Sequence, residues 1–181
     1  MYDEFVRLTY NVTDVYGKTR LIRNETYSNV GYFELDGQKI DHTTLEVDSA
    51  TASYAGTQMT YKWYAYTFDK PGVHTVSLLC KSYRLSNQLV NDCDALREIV
   101  LPSCVTDLGQ FLTSCYSLQV ITCYATTPPS TNNKSFFGLR NGGTLYVPKQ
   151  SIDAYKETWL SLDNGKETLG THNWEIKPIL E

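Results

Sequence analysis

The chain has 181 residues, of which 41% are hydrophobic and 20% charged, and a net charge of -4. This composition is that of a folded protein, and the acidic balance excludes the clustered basic face that nucleic-acid binding requires. No stretch reaches the roughly 20 apolar residues that span a bilayer, and the acidic N-terminus does not resemble a secretory signal. The 14 tyrosines and 2 methionines favour strands over helices.

Residues 1–80 carry the patterns of short strands separated by turns. Apolar residues occupy every second position of residues 4–12, which predicts a half-buried strand. Asp36-Gly37 lies between two strand-like runs and predicts a hairpin, because both residues tolerate the positive φ angles of a tight turn. Pro71-Gly72 also separates two such runs and predicts a second antiparallel pair. We therefore expect a small immunoglobulin-like or sandwich-like β domain over residues 1–80.

The second half of the chain repeats itself at a short, regular period. Residues 88–101 and 110–123 align at an offset of 22, with Gln, Cys, Leu and Ile recurring at equivalent places, and further apolar matches occur at an offset of 23. Each repeat would supply one short strand, whose inward side chains are buried only when several repeats stack. The structural repeat positions are Cys93, Leu96, Ile99, Cys115, Leu118 and Ile121. The strands of the stack are expected near residues 75–79, 98–102, 120–124 and 144–147.

Two further features interrupt and close this stack. Pro128-Pro129 cannot continue a strand, so an irregular loop is predicted there. Ser151 is expected to cap a short helix over residues 151–162, since the apolar residues of that stretch share one helix face. Together with the tail at residues 174–180, this helix would cover the last strand of the stack.

The run from Leu96 to Leu118 resembles the BspA-type leucine-rich repeat in the order of its Leu, Ile, Pro, Val-Thr, Gly, Phe, Cys and Leu residues. Residues 124–129, 145–148 and 151–159 are similar to the closing unit of such proteins. One departure is Phe111-Leu112, where the family usually has Ala-Phe before the cysteine. The resemblance implies a short leucine-rich-repeat solenoid with a C-terminal capping helix over residues 81–181.

Members of this family are mostly surface proteins of anaerobic gut and oral bacteria, of their phages and of some protists. They are associated with adhesion and protein binding, and the repeat carries no set of catalytic residues. The resemblance therefore implies a binding or structural role.

The residues themselves predict neither catalysis nor a metal site. His42, His74 and His172 are far apart in sequence, and no acid, base and nucleophile converge in the pattern. Cys93 and Cys115 occupy equivalent repeat positions, which favours two buried small side chains over a nucleophile; a disulfide between them is the alternative. No cofactor is expected.

Aromatic residues are the candidates for a binding surface, because tyrosine offers a large, stiff contact area with a polar tip. The competing explanation is that tyrosine fills antiparallel sheets, and the composition favours it. The candidates near the junction of the two halves are Trp63, Tyr64, Tyr66 and Tyr83, and those within the repeats are Tyr116 and Tyr124.

These expectations combine into a non-catalytic structural or adhesion protein that binds other proteins, including copies of itself. An initiating Met1 next to the first strand favours a surface component of a phage virion, such as a fibre, decoration or tail protein, which needs no export. The first alternative is a secreted or lipid-anchored adhesin of the bacterial cell surface. The second is an accessory carbohydrate-binding module, with an exposed Trp63 and the tyrosines as the platform for glycans.

Overall fold

The structure, a computed structural model, describes residues 5–24, 30–80, 89–162 and 165–180. Strands are the main regular structure of these residues, which confirms the β-rich prediction, and the one α-helix among them, α1 (Ile152–Thr158), is short. The strands of the N-terminal segment (residues 5–80) are β1 (Phe5–Val12), β2 (Thr19–Arg23), β3 (Val30–Leu35), β4 (Gln38–Lys39), β5 (Glu46–Tyr54), β6 (Thr57–Tyr66) and β7 (Gly72–Cys80). The strands of the C-terminal segment (residues 89–180) are β8 (Val90–Asn91), β9 (Leu96–Leu101), β10 (Asp107–Gly109), β11 (Leu112–Thr113), β12 (Val120–Cys123), β13 (Ser130–Thr131), β14 (Thr144–Val147) and β15 (Glu175–Pro178).

Eight strands form one mixed sheet in the order β15-β14-β12-β9-β1-β7-β3-β4. Strands β9, β12, β14 and β15 are parallel, whereas β1 is antiparallel to both of its neighbours, β7 and β9. The sheet therefore continues across residue 80, where the sequence pattern changes. The expectation that residues 75–79 stack directly on residues 98–102 is wrong, because β1 lies between them.

Strands β2, β6 and β5 form a second sheet. The predicted pairing of the strands on either side of Pro71-Gly72 is wrong, because β6 pairs with β2 and β5 while β7 pairs with β1 and β3. This turn leads the chain from one sheet to the other. Its residues determine a local change of direction, but they do not determine which strand the next strand pairs with. The hairpin at Asp36-Gly37 is confirmed, with β3 antiparallel to β4 and both turn residues at positive φ.

The two sheets share one continuous hydrophobic core. In β1, Val6, Leu8, Tyr10 and Val12 are all buried, and they alternate with half-buried or exposed residues as the period of two predicts. The hydroxyl of Tyr10 donates a hydrogen bond of 2.6 Å to the carbonyl oxygen of Leu21 in β2. This buried bond ties the two sheets together inside the core.

Side chains one repeat apart are neighbours in the C-terminal segment. Ile121 pairs with Ile99 on one side and with Leu145 on the other, in register. A second parallel ladder joins β8 to β11, with Val90 opposite Leu112, and a third joins β10 to β13. The β9–β12 and β8–β11 pairs therefore follow the sequence repeat, since Ile121 and Leu112 each follow their partners at the offset of 22.

The turns that precede β9 and β12 have the same geometry. Asp92 and Ser114, which are equivalent positions of the repeat, adopt positive φ angles of 55° and 57°. In each turn the amide three residues after the cysteine donates to the cysteine carbonyl oxygen at 3.1 Å. Cys93 and Cys115 are fully buried free thiols. The alternative of a disulfide between them is therefore not realised.

Helix α1 packs against the core beside β15. The hydroxyl of Ser151 donates to the carbonyl oxygen of Thr126 at 2.7 Å and makes no capping hydrogen bond, so the predicted capping role is wrong. Tyr155 and Trp159 are fully buried. The indole N–H of Trp159 donates to the carbonyl oxygen of Pro129 at 2.9 Å, which holds the proline loop against the helix. The tail predicted behind the helix forms β15, at the edge of the large sheet.

Candidate binding surface

One face of the eight-stranded sheet is open to solvent. Along β9, β12 and β14, alternate residues are buried in the core, while the others are half-buried on the opposite side. We call this opposite side, on β9, β12, β14 and β15, the open face. Parallel strands usually have both faces of their sheet covered, so this half of the sheet is unusually exposed. Its side chains form two rows across the strands: Glu98, Val120, Thr144 and Glu175, and next to them Val100, Thr122, Tyr146 and Lys177.

The second row continues onto the antiparallel strands. Val100 lies opposite Arg7 of β1, which lies opposite Ser77 of β7, which in turn lies opposite Glu34 of β3. A row across seven strands, spaced by about 4.8 Å, is about 29 Å long. The surface is thus broad, which suits contact with another macromolecule more than enclosure of a small molecule.

The centre of the open face carries no charge, whereas both of its edges do: Glu98 lies on β9, and Glu175 and Lys177 lie on β15. The ammonium group of Lys177 lies 3.0 Å from the carboxylate of Glu175, and this hydrogen bond raises the pKa of Lys177. Charged residues are depleted at the centres of protein interfaces and common at their rims. The uncharged centre consists of five half-buried side chains, Val100, Val120, Thr122, Thr144 and Tyr146.

Trp63, predicted to be an exposed platform, is buried. Only 2% of its surface is exposed. The guanidinium of Arg20 stacks on the ring, 3.9 Å from its centroid, and that of Arg23 lies 5.2 Å from it. The indole N–H donates to the carbonyl oxygen of Asn91 at 2.7 Å. The prediction of exposure is wrong because Trp63 lies on the buried side of β6, like Ala65, and because Arg20 and Arg23 of β2 cover the ring.

Arg20 also connects the two segments. Its guanidinium binds the carboxylate of Asp48 at 2.6 Å and that of Asp92 in the first repeat turn. Burial alone would lower the pKa of Arg20, but the hydrogen bond to Asp48 and the charge of Asp92 raise it; the same bond lowers the pKa of Asp48. A cleft of about 440 Å³ lies beside this cluster. Because its arginine and aspartates bind one another, the cluster is better suited to holding the segments together than to binding a ligand.

The predicted tyrosines do not form one site. Tyr64 and Tyr66 are half-buried on β6 of the second sheet, and the Tyr66 ring packs edge-on against Phe68 with centroids 5.0 Å apart. Tyr116 is 58% exposed in the turn before β12, and Tyr124 is half-buried directly after that strand. Tyr83 lies outside the described residues.

Reasoning from tyrosine content missed the open face. Of its five central residues only Tyr146 is aromatic, and the others are valines and threonines. The signal was nevertheless available, because these positions alternate with the buried repeat positions Ile99 and Ile121. Once the stack is assumed, the period of two in each strand identifies the outward side chains.

Within the described residues, no three His, Cys, Asp or Glu side chains are grouped so that they could hold a metal ion. The same part of the chain contains no helix with the length and apolarity needed to cross a membrane. Comparisons with protein-family models, curated proteins and solved structures found no match to this chain.

Proposed function

We propose that this chain is a non-catalytic structural or adhesion protein that binds another protein through the open face of its large sheet. We further propose that the C-terminal segment is a short BspA-type leucine-rich-repeat solenoid. The in-register pairing of Ile99 with Ile121 and the identical turns at Asp92 and Ser114 support a coil that recurs at the offset of the sequence repeat. Stacked coils place one strand each side by side, and their outward residues form an extended surface.

The open face on β9, β12, β14 and β15 is the observation that carries the proposal. Five uncharged, half-buried side chains lie together there, on strands whose other face is buried in the core. Burial of β-branched and aromatic surface favours the association of two proteins. A protein partner that covers this patch would bury that surface without having to desolvate a charge at its centre.

We propose a surface component of a phage virion, in which the partner is a neighbouring shell, tail or fibre protein. The resemblance of the repeats to surface proteins supports this assignment. A cell-surface adhesin of a bacterium is the alternative, and it would use the same open face. An accessory carbohydrate-binding module has less support, because its expected platform residue Trp63 is covered by Arg20 and Arg23.

Site-specific photo-crosslinking tests the use of the open face. Thr122 is replaced by p-benzoylphenylalanine, and a matched chain carries the same replacement at Lys156, an exposed residue of α1. Each chain is irradiated with purified phage particles or with cell envelopes of the host. We expect adducts with one structural protein from position 122 and none from position 156. No adduct at 122, or equal adducts at both positions, would contradict the proposal.

Immunogold labelling with an antibody against the chain distinguishes the virion protein from the cell-surface adhesin. Label on intact particles supports the virion protein. Label confined to the bacterial surface supports the adhesin and overturns the virion assignment.

A further inference from the structure

The hairpin of β5 and β6 extends beyond the core as an arm. Ala50 and Tyr61 are the last pair that packs against the core. Between them, residues 51–60 are exposed at every position whose side chain is described. The turn is Ala55-Gly56 with φ angles of 48° and 80°, which is the geometry of a two-residue type I′ hairpin turn. A two-stranded hairpin without a covered face is only marginally stable by itself, so an additional partner would stabilise it.

The turn determines which backbone groups point away from the hairpin. Tyr54 and Thr57 close a two-residue turn, so they form a hydrogen-bonded pair, and pairs of this kind alternate along the strands. The N–H and C=O groups of Thr51 and Ser53 therefore point outward from β5. Consistent with this assignment, the hydroxyl oxygens of Thr51 and Thr60 lie 3.3 Å apart, as side chains of a closer, non-hydrogen-bonded pair do.

The outer part of the β5 edge, residues 50–54, differs from the two edges of the large sheet. At one edge of the large sheet, β15 contains Glu175, Lys177 and Pro178, and at the other edge β4 is only two residues long. Charges, proline and short length are the usual means by which proteins prevent pairing at an edge. Residues 50–61 contain no charged residue and no proline. Strand β5 is nine residues long and is the last strand of its sheet among the described residues.

We propose that the β5 edge pairs antiparallel with β5 of a second copy of this chain, around a two-fold axis at Thr51. In this register Thr51 lies opposite its own counterpart, Ser49 lies opposite Ser53, and Asp48 lies opposite Tyr54. A strand edge is complementary to itself in this orientation. About four backbone hydrogen bonds would join the copies without using the Ser49 N–H, which donates to the Asp48 carboxylate at 2.9 Å. Pairing centred on Asp48 would set carboxylates against each other, so charge excludes that register. The dimer uses the second sheet and stands independently of the role proposed for the open face.

Removal of a single outward N–H tests this pairing. Thr51→Pro deletes the donor at the centre of the edge without removing a hydrogen bond of the hairpin, since this N–H points away from β6. Thr51→Ala is the matched control, because it changes the same side chain and keeps the N–H. In sedimentation equilibrium we expect the wild type and Thr51→Ala to dimerise and Thr51→Pro to dimerise at least about tenfold more weakly. A wild type that stays monomeric up to its solubility limit overturns the proposal, and so does a Thr51→Pro dimer of unchanged affinity.

A cross-link tests the register without relying on proline. Residues in a hydrogen-bonded antiparallel pair have Cα atoms about 5.5 Å apart, which a disulfide can bridge. Thr51→Cys is therefore expected to give a covalent dimer under mild oxidation by air and copper phenanthroline. Gln58→Cys, on the other strand of the same arm, is the control and should give no more dimer than the wild type. Equal yields from the two variants, or no dimer from Thr51→Cys, would show that the β5 edges do not meet.

Discussion

Replacement of Ile121 by alanine tests whether the buried stack stabilises the fold. Ile121 is fully buried and lies between Ile99 and Leu145 on the two adjacent strands. Loss of an isoleucine side chain in a core costs about 2–5 kcal/mol, depending on how far the site can collapse. Here strands on both sides are held by their own ladders, so little collapse is possible and we expect about 3–5 kcal/mol. The adjacent Val120 faces the open side, and Val120→Thr, which keeps the β-branched shape, is expected to cost less than about 0.5 kcal/mol.

Urea unfolding followed by tryptophan fluorescence measures both changes, because Trp63, Trp159 and Trp174 are all buried. The free energy of unfolding is obtained by linear extrapolation, and equal m-values show that the same surface unfolds in each variant. If Val120→Thr lowers the free energy of unfolding as much as Ile121→Ala does, the buried and open faces of the sheet are assigned wrongly. A cost below about 1 kcal/mol for Ile121→Ala would refute the stack itself.

Three further predictions concern buried groups of the C-terminal segment. Burial raises the pKa of the Cys115 thiol to about 12 and that of Cys123 to about 11, above the ordinary value of 9.0. Since the unfolded thiols ionise first, this contribution to stability is fully present well below pH 9 and is lost as the pH rises towards 11, by at most about 1.4 kcal/mol per pH unit for each thiol. Cys115→Ala should reduce that slope in urea titrations from pH 8 to 11, and an unchanged slope would contradict the burial of this thiol. Tyr155→Phe removes a hydroxyl that donates to the carbonyl oxygen of Ala125 at 2.9 Å, at a cost of about 1–3 kcal/mol. Tyr146→Phe on the open face is its control, expected to be close to neutral; equal costs for the two variants would count against the assignment. Gly143→Ala would place a Cβ atom 2.7 Å from the ring of Trp174. We expect a cost of about 1–3 kcal/mol and a changed tryptophan emission; an unchanged melting temperature would show that the ring moves aside freely.

Local patterns in the sequence predicted local structure well. The alternation of residues 4–12 identified the buried side of β1, and Asp36-Gly37 identified a hairpin. The offset of the sequence repeat placed Ile99 and Ile121 together, because stacking of equivalent side chains follows directly from a repeat. These features depend on neighbours in the chain or on a regular period.

Features that depend on distant parts of the chain were not predictable. The turn chemistry of Pro71-Gly72 indicates a change of direction but does not reveal that β7 joins a different sheet from β6. The burial of Trp63 results from Arg20 and Arg23, which are far from it in sequence and whose side chains cover the ring. Similarly, nothing in the alternation of β1 reveals that it lies between β7 and β9. Such arrangements depend on the packing of the whole core.

The central position of β1 has a consequence for the order of assembly. Leu8 pairs with Val76 on one side and with Ile99 on the other, and both partners lie far along the chain. During synthesis β1 cannot pair on both sides until β7 and β9 have been made. The long loops that these pairings close slow folding. A fragment that ends at residue 80 would lack β9, so one edge of β1 would have no pairing strand and the apolar side chains next to it would be exposed. Such a fragment would be prone to aggregate. The two segments differ in sequence character but are therefore expected to fold as a single unit.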